Sequence, residues 1–163
     1  MKVKTNYNKY LNLWSTDNDK TEANDEVVIK SVYDPSPVGY SLPVSNAFTG
    51  FTTTGGNVGY WSTPLTPETK AKFNVKGSFD KGWYFYCKPG KQGSTFFFPA
   101  FGFRRCDTGS LDLVSRYGFY LVAGPGNRLI GRCLNFYSGV VDPLHGPGRS
   151  YGFAVRSAEE KES

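Results

Sequence analysis

From Ser94 to Ala158 the chain is written without a single Lys, Glu, Gln, Met or Trp. A long stretch rich in Gly, Phe and Tyr and poor in long polar side chains reads first as a β region. That leaves one fact unaccounted for. All 7 arginines, from Arg104 to Arg156, fall inside the stretch, and all 12 lysines fall outside it. Both residues are long and cationic and sit well on surfaces, so a dislike of long side chains does not separate them. The five missing residues are those that no codon ending in a pyrimidine encodes. Codons rewritten at their first two letters from an adenine-rich parent such as AAC reach every amino acid except these five. The stretch therefore reads as a surface whose side chains have been diversified.

A chain of 163 residues suits one domain with a short appended arm. The 13 Phe and 11 Tyr, set against scarce aliphatics, suit a sheet-rich domain with an aromatic core or an aromatic display. The net charge of +5 is modest, with Lys in front and Arg behind. The arginines stand singly except for Arg104–Arg105, and no helix-turn-helix, zinc-finger or RNP-type pattern occurs, which argues against a nucleic-acid partner. Cys87, Cys106 and Cys133 are odd in number and lack paired short spacing. They read as free thiols, not as a disulfide framework or a zinc site. No apolar run reaches the length of a spanning helix, so direct membrane insertion is not expected. Met1-Lys2-Val3-Lys4-Thr5-Asn6 lacks the apolar core of a signal peptide; the chain is read as not secreted by that route, or as part of a longer one.

Along the chain, 1–26 reads as a polar arm or linker, 27–158 as one ligand-binding domain and 159–163 as a charged tail. Tyr10-Leu11-Asn12-Leu13-Trp14 is the arm's apolar cluster and is expected to dock on the domain. Val27-Val28-Ile29 and Val32 read as a first strand, followed by a proline-fixed turn over Asp34–Tyr40. Helix starts are expected at Ser45 and at Thr66, where a capping Thr precedes Pro67. Strands are expected over Gly82–Lys88, Thr95–Pro99, Arg128–Tyr137 and Ser150–Arg156. Gly-rich loops separate the later ones at Gly124–Asn127 and His145–Gly148. The expected class is α+β, with few helices, short strands and long loops concentrated in the C-terminal half.

Several segments resemble a known group: Tyr33–Tyr40, Asn46–Gly55, Phe98-Pro99-Ala100, Thr108–Leu111, Gly131-Arg132, Leu134-Asn135-Phe136, Asp142-Pro143-Leu144 and the closing Arg149–Arg156. Over roughly 27–158 the chain resembles the variable proteins of diversity-generating retroelements, of the Bacteroides and phage type, and the related major-paralogous domain. The resemblance implies a C-type-lectin-like fold with its variable surface in the C-terminal part, diversified by adenine-directed copying. It also implies a receptor-binding tip of a phage virion, often trimeric, or an adhesin at a bacterial cell surface. The partner would be a protein or glycan on a cell surface. One departure stands at Gly118-Phe119-Tyr120-Leu121-Val122, where the family often shows Trp-Ser after Gly-Tyr-Tyr; Phe119 or Tyr120 would supply the missing aromatic.

Other chemistries fit less well. His145 is the lone histidine, and no Ser- or Cys-centred motif or carboxylate cluster surrounds it, so no enzyme is expected. A formylglycine-generating-type enzyme would call on Cys106 and Cys133, but a rewritten codon yields Cys as readily as Tyr. The Glu-Pro-Asn, Gln-Pro-Asp and Trp-Asn-Asp motifs of calcium-dependent lectins are absent. Asp107, Asp112 and Asp142 are too scattered for a calcium cage, and neither metal nor cofactor is expected. Sugar binding through stacked aromatics stays open, as does a fixed-sequence surface or pilus adhesin subunit. The expected ligand-binding surface takes the aromatics Phe101, Phe103, Tyr117, Phe119, Tyr137 and Tyr151, with the polar Arg105, Asp112, Arg116, Arg128 and His145. It also takes Leu113, Leu121, Leu129, Ile130, Cys133, Val140, Gly146 and Pro147. Phe96–Phe98, Leu111, Val114, Leu134, Phe136, Val141, Phe153 and Val155 are assigned to the core.

Overall fold

The computed structural model describes residues 12–16, 20–127 and 129–160. Tyr10, Leu11 and the site candidate Arg128 lie outside the described residues. Among the described residues ten strands form, all paired antiparallel within four small sheets. β1 (Tyr40–Ser41) pairs with β10 (Ala158–Glu159), and β5 (Phe103–Arg104) with β6 (Leu111–Asp112). β2 (Val75–Lys76), β3 (Gly82–Lys88) and β4 (Gln92–Pro99) make a three-stranded sheet in that order. The other three-stranded sheet runs β7 (Gly118–Pro125), β8 (Gly131–Tyr137), β9 (Val140–His145).

The expected α+β class, with its C-type-lectin-like arrangement, is corrected: 38% of the structure is strand and 6% helical, which is a β-rich fold. One α-helix forms among the described residues, α1 (Pro67–Ala71), where Thr66 Oγ1 accepts from Thr69 N at 3.2 Å and Pro67 opens the first turn. The helix expected from Ser45 is instead a run of tight turns ending in a 3-10 turn over Thr49–Phe51. Ser45 is fully buried, and its hydroxyl is taken by Asn24, accepting from Asn24 N at 2.7 Å and donating to Asn24 O at 3.0 Å. A side chain so engaged does not cap a helix.

The long loops expected in the second half are also corrected, since β7 and β9 occupy much of that length. The expected first strand is extended chain with a single bridge, Lys30 to Ser15, and Val27, Ile29 and Val32 stay exposed. The Ser150–Arg156 segment is likewise no regular strand. It crosses the frame through two single bridges, Gly152 to Arg104 and Ala154 to Tyr120.

The two three-stranded sheets enclose one aromatic core. Phe85, Phe98, Tyr120, Phe136 and Trp83 fill it, with Phe48 and Phe73 from the first half. Their rings meet edge to face, as at Phe85–Phe136 (5.5 Å, 69°) and Phe98–Tyr120 (5.0 Å, 74°), the geometry ring quadrupoles favour. A smaller cluster of Val28, Leu42 and Ala123 lies on the far side of β7, with Trp14 packed against it. Phe96, Leu111 and Val114, assigned to the core from sequence, are 47%, 59% and 49% exposed. Phe96 and Phe98 share one face of β4 by alternation, but only Phe98 is covered by the core. The Arg156 guanidinium lies 4.4 Å from the Phe98 ring centre and 5.7 Å from that of Phe96.

Candidate recognition face

β7 is covered on both sides. Tyr120 and Val122 enter the aromatic core, so the alternate Phe119 points to the opposite face. There a continuous row of rings is assembled from five separate segments. Trp61 stacks on Tyr117 (5.3 Å, 18°) and on Tyr137 (5.3 Å, 27°), which are 5.0 Å apart. Tyr117 continues to Phe119 at 6.3 Å, and Phe119 to Phe153 at 5.1 Å and Phe103 at 5.4 Å. Phe103 meets Tyr151 at 5.4 Å, closing the row. His145 stands between the two halves, 6.2 Å from both Trp61 and Phe119.

The polar groups along this row are largely tied within the protein. His145 Nδ1 lies 3.3 Å from Asp142 Oδ2, and Asp142 Oδ1 accepts from Leu144 N at 3.2 Å. Arg105 makes a two-pronged contact with Asp107 (3.0 and 2.8 Å) and a longer one with Asp112 (3.5 Å). That hydrogen bonding lowers the exposed Asp107 carboxyl to about 2. Arg104 Nη1 donates to Gly109 O at 2.9 Å. Burial, and secondarily the neighbouring Tyr117, push the Tyr137 hydroxyl up. The Tyr151 hydroxyl is pushed up mainly by its hydrogen bond with Cys106. Asn135, opposite Phe119 in register, donates to Gly118 O at 3.2 Å; its Oδ1 is buried with no partner.

Phe103, Tyr117, Phe119, Tyr137, His145 and Tyr151, all expected in the site, are brought together. Phe119 itself is nearly buried, so it supports the row from beneath. Arg105 and Asp112 meet as an ion pair beside Phe103, and Arg116 lies 6.0 Å from the Tyr117 ring centre. Ile130, Gly146 and Pro147 converge next to His145: Ile130 bridges Gly148, and a Cβ on Gly146 would lie 2.9 Å from the Ile130 side chain. Leu129 projects from that turn, 75% exposed. Phe101 is exposed, 6.4 Å from the core ring of Tyr120, and Leu113 forms the turn before Tyr117, accepting from Arg116 N and Tyr117 N.

Besides Phe119, four expected site residues do not present side chains to a ligand. Cys133 and Val140 are interior, Pro147 is buried, and Leu121 packs on the Leu42–Ala123 cluster. Burial, then the charge of Asp142, push the Cys133 thiol well up, which holds it protonated and unreactive. Sequence reasoning missed Trp61 and its neighbour Tyr60, which come from outside the 94–158 stretch. Their signal was two adjacent aromatics closing the glycine-rich turn Gly55-Gly56-Asn57-Val58-Gly59. Among the described residues no group of His, Cys, Asp or Glu could hold a metal ion, and no helix is long and apolar enough to cross a membrane.

The chain matches no family model, no curated protein and no solved structure.

Proposed function

We propose that this chain is a ligand-recognition module whose second half carries retroelement-diversified side chains on a fixed β frame. The observation that carries it is the absence of Lys, Glu, Gln, Met and Trp from 94–158 beside 7 arginines. The aromatic row supports it, because interfaces concentrate their binding energy in Tyr, Trp and Arg. The partner is a protein or glycan on a cell surface, and the carrier a phage tail tip or a bacterial surface. A trimer would raise a weak single-site affinity through multivalency.

The test is the nucleotide sequence of the gene and its neighbourhood. A near-copy of the region encoding about 101–151, differing only opposite adenines and lying near a reverse transcriptase, is the expected result. Codons ending freely in A or G, with no such copy, refute the proposal. A fixed-sequence surface or pilus subunit is the second reading. It is favoured by the exposure of Val27, Val32, Tyr33 and Val38 (63%, 93%, 66% and 97%), four apolar side chains close in sequence that a partner subunit would cover. A formylglycine-generating-type enzyme is disfavoured by the burial of Cys133.

A further inference from the structure

Trp61 belongs to the unaltered half of the chain yet lies at the head of the aromatic row. We infer that Trp61, with Tyr60 beside it, is the constant stacking anchor of this face and receives the apolar face of a pyranose ring of a glycan. The word constant rests on the diversified-surface proposal; the stacking role does not.

One side of the Trp61 indole covers Tyr117 and Tyr137 at 5.3 Å each, while the residue as a whole remains 54% exposed and Tyr60 73%. The open side is therefore a flat apolar surface facing solvent. Contiguous exposed apolar surface of this kind marks a recognition site.

The loop that carries the pair is held in place before any ligand arrives. Val58 exchanges both backbone hydrogen bonds with Val141, at 2.9 and 3.0 Å. Gly59 has φ +93° and lies so close to the β8–β9 turn that a Cβ would sit 2.2 Å from Gly139 O. Tyr137 Oη donates to Tyr60 O at 2.9 Å, which ties the base of the stack to the loop above it. Binding therefore orders little, and preorganisation of this kind strengthens a contact.

The ligand class follows from the shape and the rim. Anchors of protein partners tend to fill closed, desolvated pockets near the centre of an interface, whereas Trp61 offers an open plane at one end of the row. A pyranose ring has an apolar C–H face that lies flat on an indole, and a rim of hydroxyls that needs donors and acceptors at the sides. The polar side chains nearest the plane are His145, 6.2 Å from the Trp61 ring centre, and Arg116, 6.0 Å from the ring centre of the stacked Tyr117. Under diversification the neighbours select among sugars, while Trp61 provides the contact common to all.

The test uses the full chain, labelled with nitrogen-15 and titrated into the millimolar range with methyl β-galactopyranoside, methyl α-mannopyranoside and methyl N-acetyl-β-glucosaminide. The signal is the Trp61 indole N–H, assigned by its loss in Trp61→Phe. The Trp83 indole, which donates to Tyr137 O at 3.0 Å in the interior, is the internal reference. A saturable shift at Trp61 with at least one glycoside, and none at Trp83, is expected. In the variants, which lack that indole, binding is read from the backbone amides of Gly59 and Tyr60. Trp61→Leu, which keeps apolar bulk without the ring, is expected to weaken that glycoside about tenfold, the upper end of an aromatic contact, with Trp61→Phe close to the parent. No saturable shift with any of the three, or equal affinity in Trp61→Leu, overturns the inference. The two proposals fail separately. A Trp61 response without a template copy in the genome refutes diversification alone, and a template copy with an inert Trp61 refutes the anchor alone.

Discussion

Gly118 is the position at which the frame beneath the aromatic row is most sharply specified. It sits opposite Phe136 in the β7–β8 register, and the Phe136 ring folds directly over it. A Cβ at Gly118 would lie 2.1, 2.4 and 2.6 Å from three atoms of that ring, far inside any real Cβ contact. The ring has nowhere to retreat. Phe136 is fully buried, 5.5 Å from Phe85 and 6.1 Å from Tyr120. Gly118→Ala is therefore an overpacking substitution, expected to cost about 2–3 kcal/mol. For a chain of this size that corresponds to a melting point lower by roughly 4–12 °C. Phe136→Leu alone should cost about 1–2 kcal/mol through lost packing. Because the smaller side chain vacates the space the new methyl needs, the double variant should fall short of the sum by about 1 kcal/mol or more. Urea unfolding of the four proteins measures the cycle. A Gly118→Ala protein as stable as the parent, or strictly additive costs, would refute the assignment of this glycine to packing. The same logic expects Gly118 to be unvaried among sister copies of the gene although it lies inside the 94–158 stretch.

Three further outcomes follow from the structure. In the folded protein a thiol reagent should label Cys87 and Cys106 promptly and Cys133 only on unfolding, since the first two are exposed and the third is buried with its thiol pushed up; equal rates at all three would contradict the burial. Stability should fall in alkali, because burial raises the Tyr120 hydroxyl and the Cys133 thiol above their ordinary values of 10.0 and 9.0. Both groups are neutral when folded and ionise first in the unfolded chain, so their contribution is complete below the ordinary values and is lost as pH climbs towards the folded ones. Melting between about pH 8 and about pH 11 should show a shallower decline in Tyr120→Phe and in Cys133→Ala, and parent-like slopes in both would refute it. Finally, Gly59→Ala should cost about 1–3 kcal/mol through its left-handed backbone and the Gly139 contact. It should also shift tryptophan emission to the red as Trp61 lifts from Tyr117 and Tyr137, and an unchanged spectrum would show that the loop is not pinned there.

Local chemistry alone determined some of this protein. Gly82–Lys88 is a strand by its run of aromatics, and the structure places β3 over those residues. Thr66 with Pro67 specifies a helix start because cap and fixed φ act within one turn. The residues missing from 94–158 are a property of composition and need no fold to be seen. Other features waited on tertiary structure. Ser45 has the signature of a helix cap, yet Asn24 is closer in space than any helix amide it might serve. Alternation says that Phe119 and Tyr120 point opposite ways and that Phe96 and Phe98 share a face, but only the packing of the second sheet decides that Tyr120 enters the core and that Phe98 is covered while Phe96 is not. Cys133 and Val140 looked as free to vary as Tyr137, and packing on both faces of the central sheet closed them off. Trp61 could not be placed at the head of the aromatic row from its own neighbourhood. It arrives there because Val58 pairs with Val141 and Gly59 fits against Gly139, contacts between residues some eighty positions apart. A sequence encodes turns, caps and alternation within a few residues, whereas which face is buried, and which loop completes a site, are settled only when distant segments compete for the same core.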